Sequence, residues 1–194
     1  MYIIPKKIDA WHFGPDSRIL AHQPDETMVI TPGFIYSEDA PDILICNTGL
    51  HGSRRVYDAL GYASGCWLSR VQMWGDIAEQ SDKLASRHRE VIACRDVTAE
   101  LRLWGCWCVR NTPISGGRTT WDLLTDERSR NAVEVAEKFA RGEATSEQLD
   151  AARAAAWDAA GDAAWDAAGD AAWAAARADQ EKMLDEMVNA ALGE

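Results

Sequence analysis

Residues 66–97 read CWLSRVQMWGDIAEQSDKLASRHREVIACRDV, and this stretch decides the fold class. From Trp67 to Trp74 successive side chains fall on opposite faces of an extended chain. Trp67, Ser69, Val71 and Met73 share one face; Leu68, Arg70, Gln72 and Trp74 share the other. The polar GDIAEQSDK that follows reads as a loop. EVIACRDV (Glu90–Val97) reads as a second strand. Alternating strands joined in this way predict a small, mostly antiparallel sheet.

The sequence on the N-terminal side adds shorter pieces of the same kind. KIDAWHF (Lys7–Phe13) alternates loosely and is broken by GPDSR, while MVI (Met28–Ile30) lies between the turns QPDE and TPGF. ILIC (Ile43–Cys46) is a short apolar run before the turn NTG. Ser53 is positioned to cap a helix over RRVYDALGY, whose Val56, Ala59 and Leu60 fall on one face. On the C-terminal side, Thr98 opens a helix, AELRLWGCWCVR. The predicted fold class is α+β, with a small sheet and short helices over residues 1–112.

Beyond residue 112 the texture changes. Residues 113–125 read as a linker in which Trp121, Leu123 and Leu124 anchor on a core. Residues 126–194 read as a long alanine-rich helical hairpin. Gly142 ends its first helix, and Thr145 with Gln148 has capping-box spacing for the second. Alanine, the strongest helix former, fills 17 of the 28 positions from Ala151 to Ala178. A continuous second helix from Ser146 to Leu192 would span roughly 70 Å.

Within it, WDAAGDAAWDAAGDAAW (Trp157–Trp173) repeats every eight residues. Residues eight apart on a helix are turned by about 80°, so Trp157, Trp165 and Trp173 spiral around it. Packing within the chain and association with a partner or a second copy both remain open. Either is favoured over a fully solvated repeat, because exposed tryptophans are a liability.

Charge divides along the same line. Residues 1–120 hold 14 acids and 13 bases, whereas residues 121–194 hold 17 acids and 7 bases. The acidic second half repels a phosphate backbone, so no direct nucleic-acid binding is expected; a solvated face is the simplest reading of the charge, with a basic partner or mimicry of an acidic one left open. No apolar run approaches the roughly 18–20 residues of a membrane helix, and the start does not read as a signal peptide. With five cysteines, an odd number, and no export signal, the expectation is reduced thiols in a cytoplasmic protein.

Catalytic signatures are sparse. Cys46 or Ser53 with His51 lacks a surrounding nucleophile motif, and no phosphate loop is present. Cys106 and Cys108 on one helix point about 200° apart, which suits no single tetrahedral metal. No catalytic residue, metal or cofactor is expected.

Two resemblances add to this reading. Residues 43–95 resemble a domain of unassigned function found in bacteriophage and bacterial proteins. They carry its C-x-x-G-L-H start (Cys46, Gly49, Leu50, His51), its D-A-L-x-Y (Asp58–Tyr62), Val71 and Gly75, and then Asp82, Lys83 and Ala85, with Ser81 in place of an acid. Residues 126–157 are similar to the alanine-rich segment of immunity-type and actinobacterial phage proteins. Together these imply a phage-type intracellular accessory protein that binds a host or phage macromolecule, with blocking a host defence or regulating a host protein as the forms such binding would take.

The stretch GLHGSRRVYDALGYASGCWLSRVQMWG (Gly49–Gly75) also looks like the second motif region of ADP-ribosyltransferase folds. That resemblance implies the alternative, a domain binding NAD or a related nucleotide. Tyr62 or Tyr57 would stack on nicotinamide and His12 would meet the ribose; the catalytic glutamate of that fold has no clear counterpart, Glu90 and Glu100 being no more than candidates. The ligand-binding candidates are His12, His51, Tyr62, Asp82 and Lys83. The interface candidates are Trp157, Trp165 and Trp173. If the alternative holds, His12, His51 and Tyr62 must converge on one cleft.

Overall fold

The computed structural model describes residues 6–19, 29–114, 116–159 and 170–193. Contacts divide the α+β chain into two compact units, Met1–Val97 with Leu192–Glu194, and Thr98–Ala191.

The first unit holds β1 (Ile8–Gly14), β2 (Ile35–Ser37), β3 (Leu50–Gly52), α1 (Val56–Leu60), β4 (Trp67–Glu79) and β5 (Leu84–Asp96). Its strand pairs are antiparallel, in the order β1-β4-β5-β2, with β3 also on β5. The ladder then returns on itself. Trp11 of β1 and Ser53, just beyond β3, exchange backbone hydrogen bonds of 2.7 and 2.9 Å. This single bridge pins the free side of β1 at Trp11 and draws β1, β3 and α1 together. Ala10, Tyr36, Leu50, Val71, Met73, Leu84 and Val91 fill the core. In β4, Ser69, Val71 and Met73 are buried while Arg70, Gln72 and Trp74 are not, as alternation requires; Leu68 is buried as well.

The expected loop GDIAEQSDK is mostly strand. β4 continues to Glu79, and Ile77–Glu79 pair with Ser86–Leu84, leaving residues 80–83 as the turn. The register shifts between Trp74 and Ile77, where Gly75 has φ +90°. A Cβ on Gly75 would lie 2.9 Å from the Arg87 Cβ. This glycine bulge breaks the alternation without ending the strand, so the polar run disguises its continuation. Ser53 does not cap α1; it is buried in the Trp11 pairing, and the helix starts at Val56 with no side-chain cap. ILIC is a turn closed by the Leu44–Thr48 bridge.

The second unit contains α2 (Thr98–Asn111), β6 (Pro113–Ile114), β7 (Arg118–Thr119), a 3-10 helix (Thr120–Leu123), α3 (Glu127–Ala140), α4 (Ser146–Ala159) and α5 (Asp170–Leu192). The sequence reading places α2 with the sheet; contacts place it with the helices, so the boundary falls at Val97/Thr98 rather than after 112. Trp104 Nε1 donates to the Gln180 carbonyl at 2.9 Å, and Gln180 Nε2 donates to Thr112 Oγ1 at 2.8 Å, tying α5 to α2. Leu149, Ala152, Leu184 and Val188 are buried.

In the expected linker, Pro113–Ile114 pair with Arg118–Thr119, and Thr120–Leu123 form the 3-10 helix. The guanidinium groups of Arg110 and Arg130 lie 4.1 and 5.4 Å from the Trp121 ring centre, and Leu123 is exposed instead of docked. The helix signals behave as read. Gly142 has φ +77° after α3, Thr145 N–H donates to Gln148 Oε1 at 2.8 Å, and Gln148 N–H donates to Thr145 Oγ1 at 3.3 Å. At the one described tryptophan side chain of the repeat, Trp157 near the end of α4 is 83% exposed, so of the two open readings packing within the chain does not hold there and association stays open. Trp165 lies outside the described residues; Trp173 belongs to α5, and its side chain lies outside them too. Among the described residues no helix is long and apolar enough to cross a membrane.

Candidate functional site

The closure of β1 onto Ser53 leaves a cavity of about 370 Å³ between β1, the turn before β3, and α1. This is within the roughly 300–1,000 Å³ of small-molecule sites. β1 contributes Trp11, His12 and Phe13; the turn contributes Cys46; β3 and its end contribute His51 and Ser53. Tyr62 follows α1 and Lys83 precedes β5, both also on the lining. His12, His51, Tyr62 and Lys83, from four separate segments, thus share one cleft. Asp82 does not line it. Its carboxylate accepts a short hydrogen bond from the Tyr62 hydroxyl, which holds the Asp82 carboxyl below its usual range and raises the Tyr62 phenol.

The two histidines are not equivalent. His51 Nε2 accepts the Cys46 N–H at 3.1 Å. That bond places the proton of the neutral ring on Nδ1 and leaves the ring face for a ligand. Its pKa is lowered by burial, then by the charges of Arg89 and Lys83. The His12 ring makes no hydrogen bond among the described residues, so its nitrogens remain able to meet a ligand. Its pKa is held well below 6.5 by burial, then by Arg89 and His51. Both rings are therefore neutral at pH 7.

Cys46 sits at the mouth with φ +63°, a left-handed conformation that costs a non-glycine residue roughly 1–2 kcal/mol. The turn hydrogen bonds and His51 hold it there. Lys83 Nζ donates to the Cys46 Sγ at 2.9 Å and lies 4.6 Å from the centre of the Tyr62 ring. The Cys46 sulfur and the Tyr62 phenol raise the Lys83 pKa, so its ammonium persists at neutral pH.

Sequence reasoning missed Arg89. It lies on β5, only 4% exposed, and its Nη1 donates to the His51 carbonyl at 2.6 Å. Its Nε has no partner, and among the described residues no carboxylate pairs with it. Burial pushes its pKa down to about 10, still well above neutrality. The detectable signal was its position two residues before Val91, which places both on the core face of a strand. Glu90, one of the two acids weighed for catalysis, is paired with Lys7 at 2.6 Å; Glu100, the other, lies on α2 in the second unit. Neither lines the cleft.

A second groove in the first unit, of about 670 Å³, carries Lys6, Lys7 and Arg54. Lys7 and Arg54 are each neutralised by an acid, Glu90 at 2.6 Å and Glu79 at 2.5 Å, and Asp9 shares the lining with Lys6, so the groove carries its own negative charge, unlike the first. Among the described residues no cluster of three or more His, Cys, Asp or Glu is placed to hold a metal ion. No family model, no curated protein and no solved structure matches this chain.

Proposed function

We propose that the first unit is a small-molecule-binding module that holds a compact, ring-bearing ligand without transforming it. The observation that carries this reading is the convergence of His12, His51, Tyr62 and Lys83 on one cavity. Tyr62 and Trp11 offer aromatic surface, His12 offers unspent ring nitrogens, and the neutral His51 offers a ring face. The absence of a carboxylate from the described lining supports binding over glycosidic-bond chemistry, which needs an acid at the reacting carbon.

By its resemblance, NAD is the first ligand to test, with ADP-ribose second. Tryptophan fluorescence of the full chain reports through Trp11, which lines the cleft. The proposal expects a saturable response that is lost in Tyr62→Ala; a flat titration with both compounds counts against it.

The second unit supports a separate reading, docking of a protein partner or a second copy. Its support is Trp157, a large aromatic 83% exposed on an acidic helical unit. Docking on a phage or host protein in the cytoplasm, with inhibition of a defence, is the form of this reading that the resemblance supplies. Light scattering of the chain and of Trp157→Ala tests self-association.

A further inference from the structure

We infer that the ligand of this cleft is an anion, a phosphorylated small molecule that meets Lys83 on the lining and is attracted by the buried charge of Arg89 behind His51. The inference rests on the cleft being a ligand site and adds the chemical class it selects.

A guanidinium taken out of water without a counter-ion is unfavourable, and proteins normally pair it. Arg89 departs from that pattern. It is 96% removed from solvent, has one hydrogen bond to the His51 carbonyl and a ring contact with Tyr36 at 5.7 Å, and leaves Nε unpartnered. It lies immediately behind His51 and close enough to His12 that its charge opposes protonation of both rings. The wall of the cleft is therefore electropositive while carrying no ionised histidine. Lys83 adds a second cation on the lining. Asp82 is engaged by Tyr62 and is not on the lining, and the buried Asp58 beside Ala59 is paired with Arg55 at 2.6 Å. One cation on the described lining, a second bonded to the backbone of His51, and no carboxylate on that lining constitute a site short of negative charge. An anion entering it gains a desolvated attraction that a surface lysine alone does not provide.

Phosphate fits better than a bare halide, because the single N–H of neutral His12 and the Lys83 ammonium are separate donors that two oxygens of one group can meet together. The aromatic side chains beside them favour a phosphate attached to a ring.

The test compares adenosine, ADP and inorganic pyrophosphate by isothermal titration calorimetry on the full chain at low and high salt. ADP should bind about tenfold or more tightly than adenosine, since one charge-assisted contact is worth at least that factor, and salt should narrow the difference. Lys83→Gln should narrow it as well. Arg89→Met should abolish it while leaving the melting temperature unchanged or raised, because a structural arginine would lower it. Equal binding of ADP and adenosine would overturn the anion inference while preserving the ligand site. Binding of pyrophosphate alone would support the anion inference and discard the ring. Failure of all three probes overturns both.

Discussion

Arg89 and Arg110 show how differently the two units use a positive charge. In the helical unit, Arg110 is forked onto Glu137 at 2.6 and 3.1 Å and stacked on Trp121 at 4.1 Å. Its charge, hydrogen-bond donors and ring contact are satisfied within the fold. In the sheet unit, Arg89 is more deeply buried yet has one carbonyl and no acid among the described residues. The helical unit carries the excess of acids, and the sheet unit keeps its unpaired cation beside a cavity. A satisfied arginine explains packing, whereas an unsatisfied buried one beside a cavity points to something that binds there.

The largest expected effect lies in the helical unit, where packing should dominate. Leu184 is fully buried, so Leu184→Ala should destabilise by about 2–5 kcal/mol in denaturant unfolding. An unchanged midpoint would remove α5 from that core. Next, Glu137→Ala strands a partly exposed Arg110 and should cost about 1–2 kcal/mol, less than a fully buried pair because water screens it. If Arg89→Met costs more than Glu137→Ala, the contrast between the two arginines fails.

A pH series sharpens the same contrast. His12 and His51 are held below their usual 6.5 in the folded chain, so the unfolded chain takes up protons first as pH falls. Stability from these groups is constant above about pH 6.5 and declines below it. That window lies above the range of the acid-paired carboxylates, such as Asp126, lowered to about 2. Thermal melts between pH 7 and 5 should show the decline, and His12→Gln should flatten it; identical slopes would mean that His12 is not held neutral. The smallest effect belongs to Trp157→Ala, which should change monomer stability by less than about 0.5 kcal/mol because the ring packs on little.

Local signals were legible where the chain obeys local rules. The alternation in β4, the stop at Gly142 and the Thr145–Gln148 box follow from nearest-neighbour geometry. The continuation of β4 past Trp74 was not legible, because one positive-φ glycine interrupts the two-residue period while the hydrogen-bond ladder goes on. Ser53 looked like a cap because serine commonly is one; its pairing with Trp11 is a long-range fact that no local window contains. His12, His51, Tyr62 and Lys83 were named through resemblance, and the closure of β1 onto Ser53 is the physical reason they meet. Arg89 stayed hidden among Arg87, His88 and Glu90, because a charged residue in a polar run reads as solvated until the face it occupies is known.

Ligand binding in the cleft of the sheet unit is open to observation through the amide and indole NMR shifts of the isotope-labelled full chain. Added NAD or ADP-ribose should move the Trp11 indole and the amides of His12, His51, Ser53 and Tyr62 together, saturably, with the α3–α4 amides unmoved. Shifts confined to the helical unit, or none at millimolar ligand, would mean that the cleft is not a ligand site.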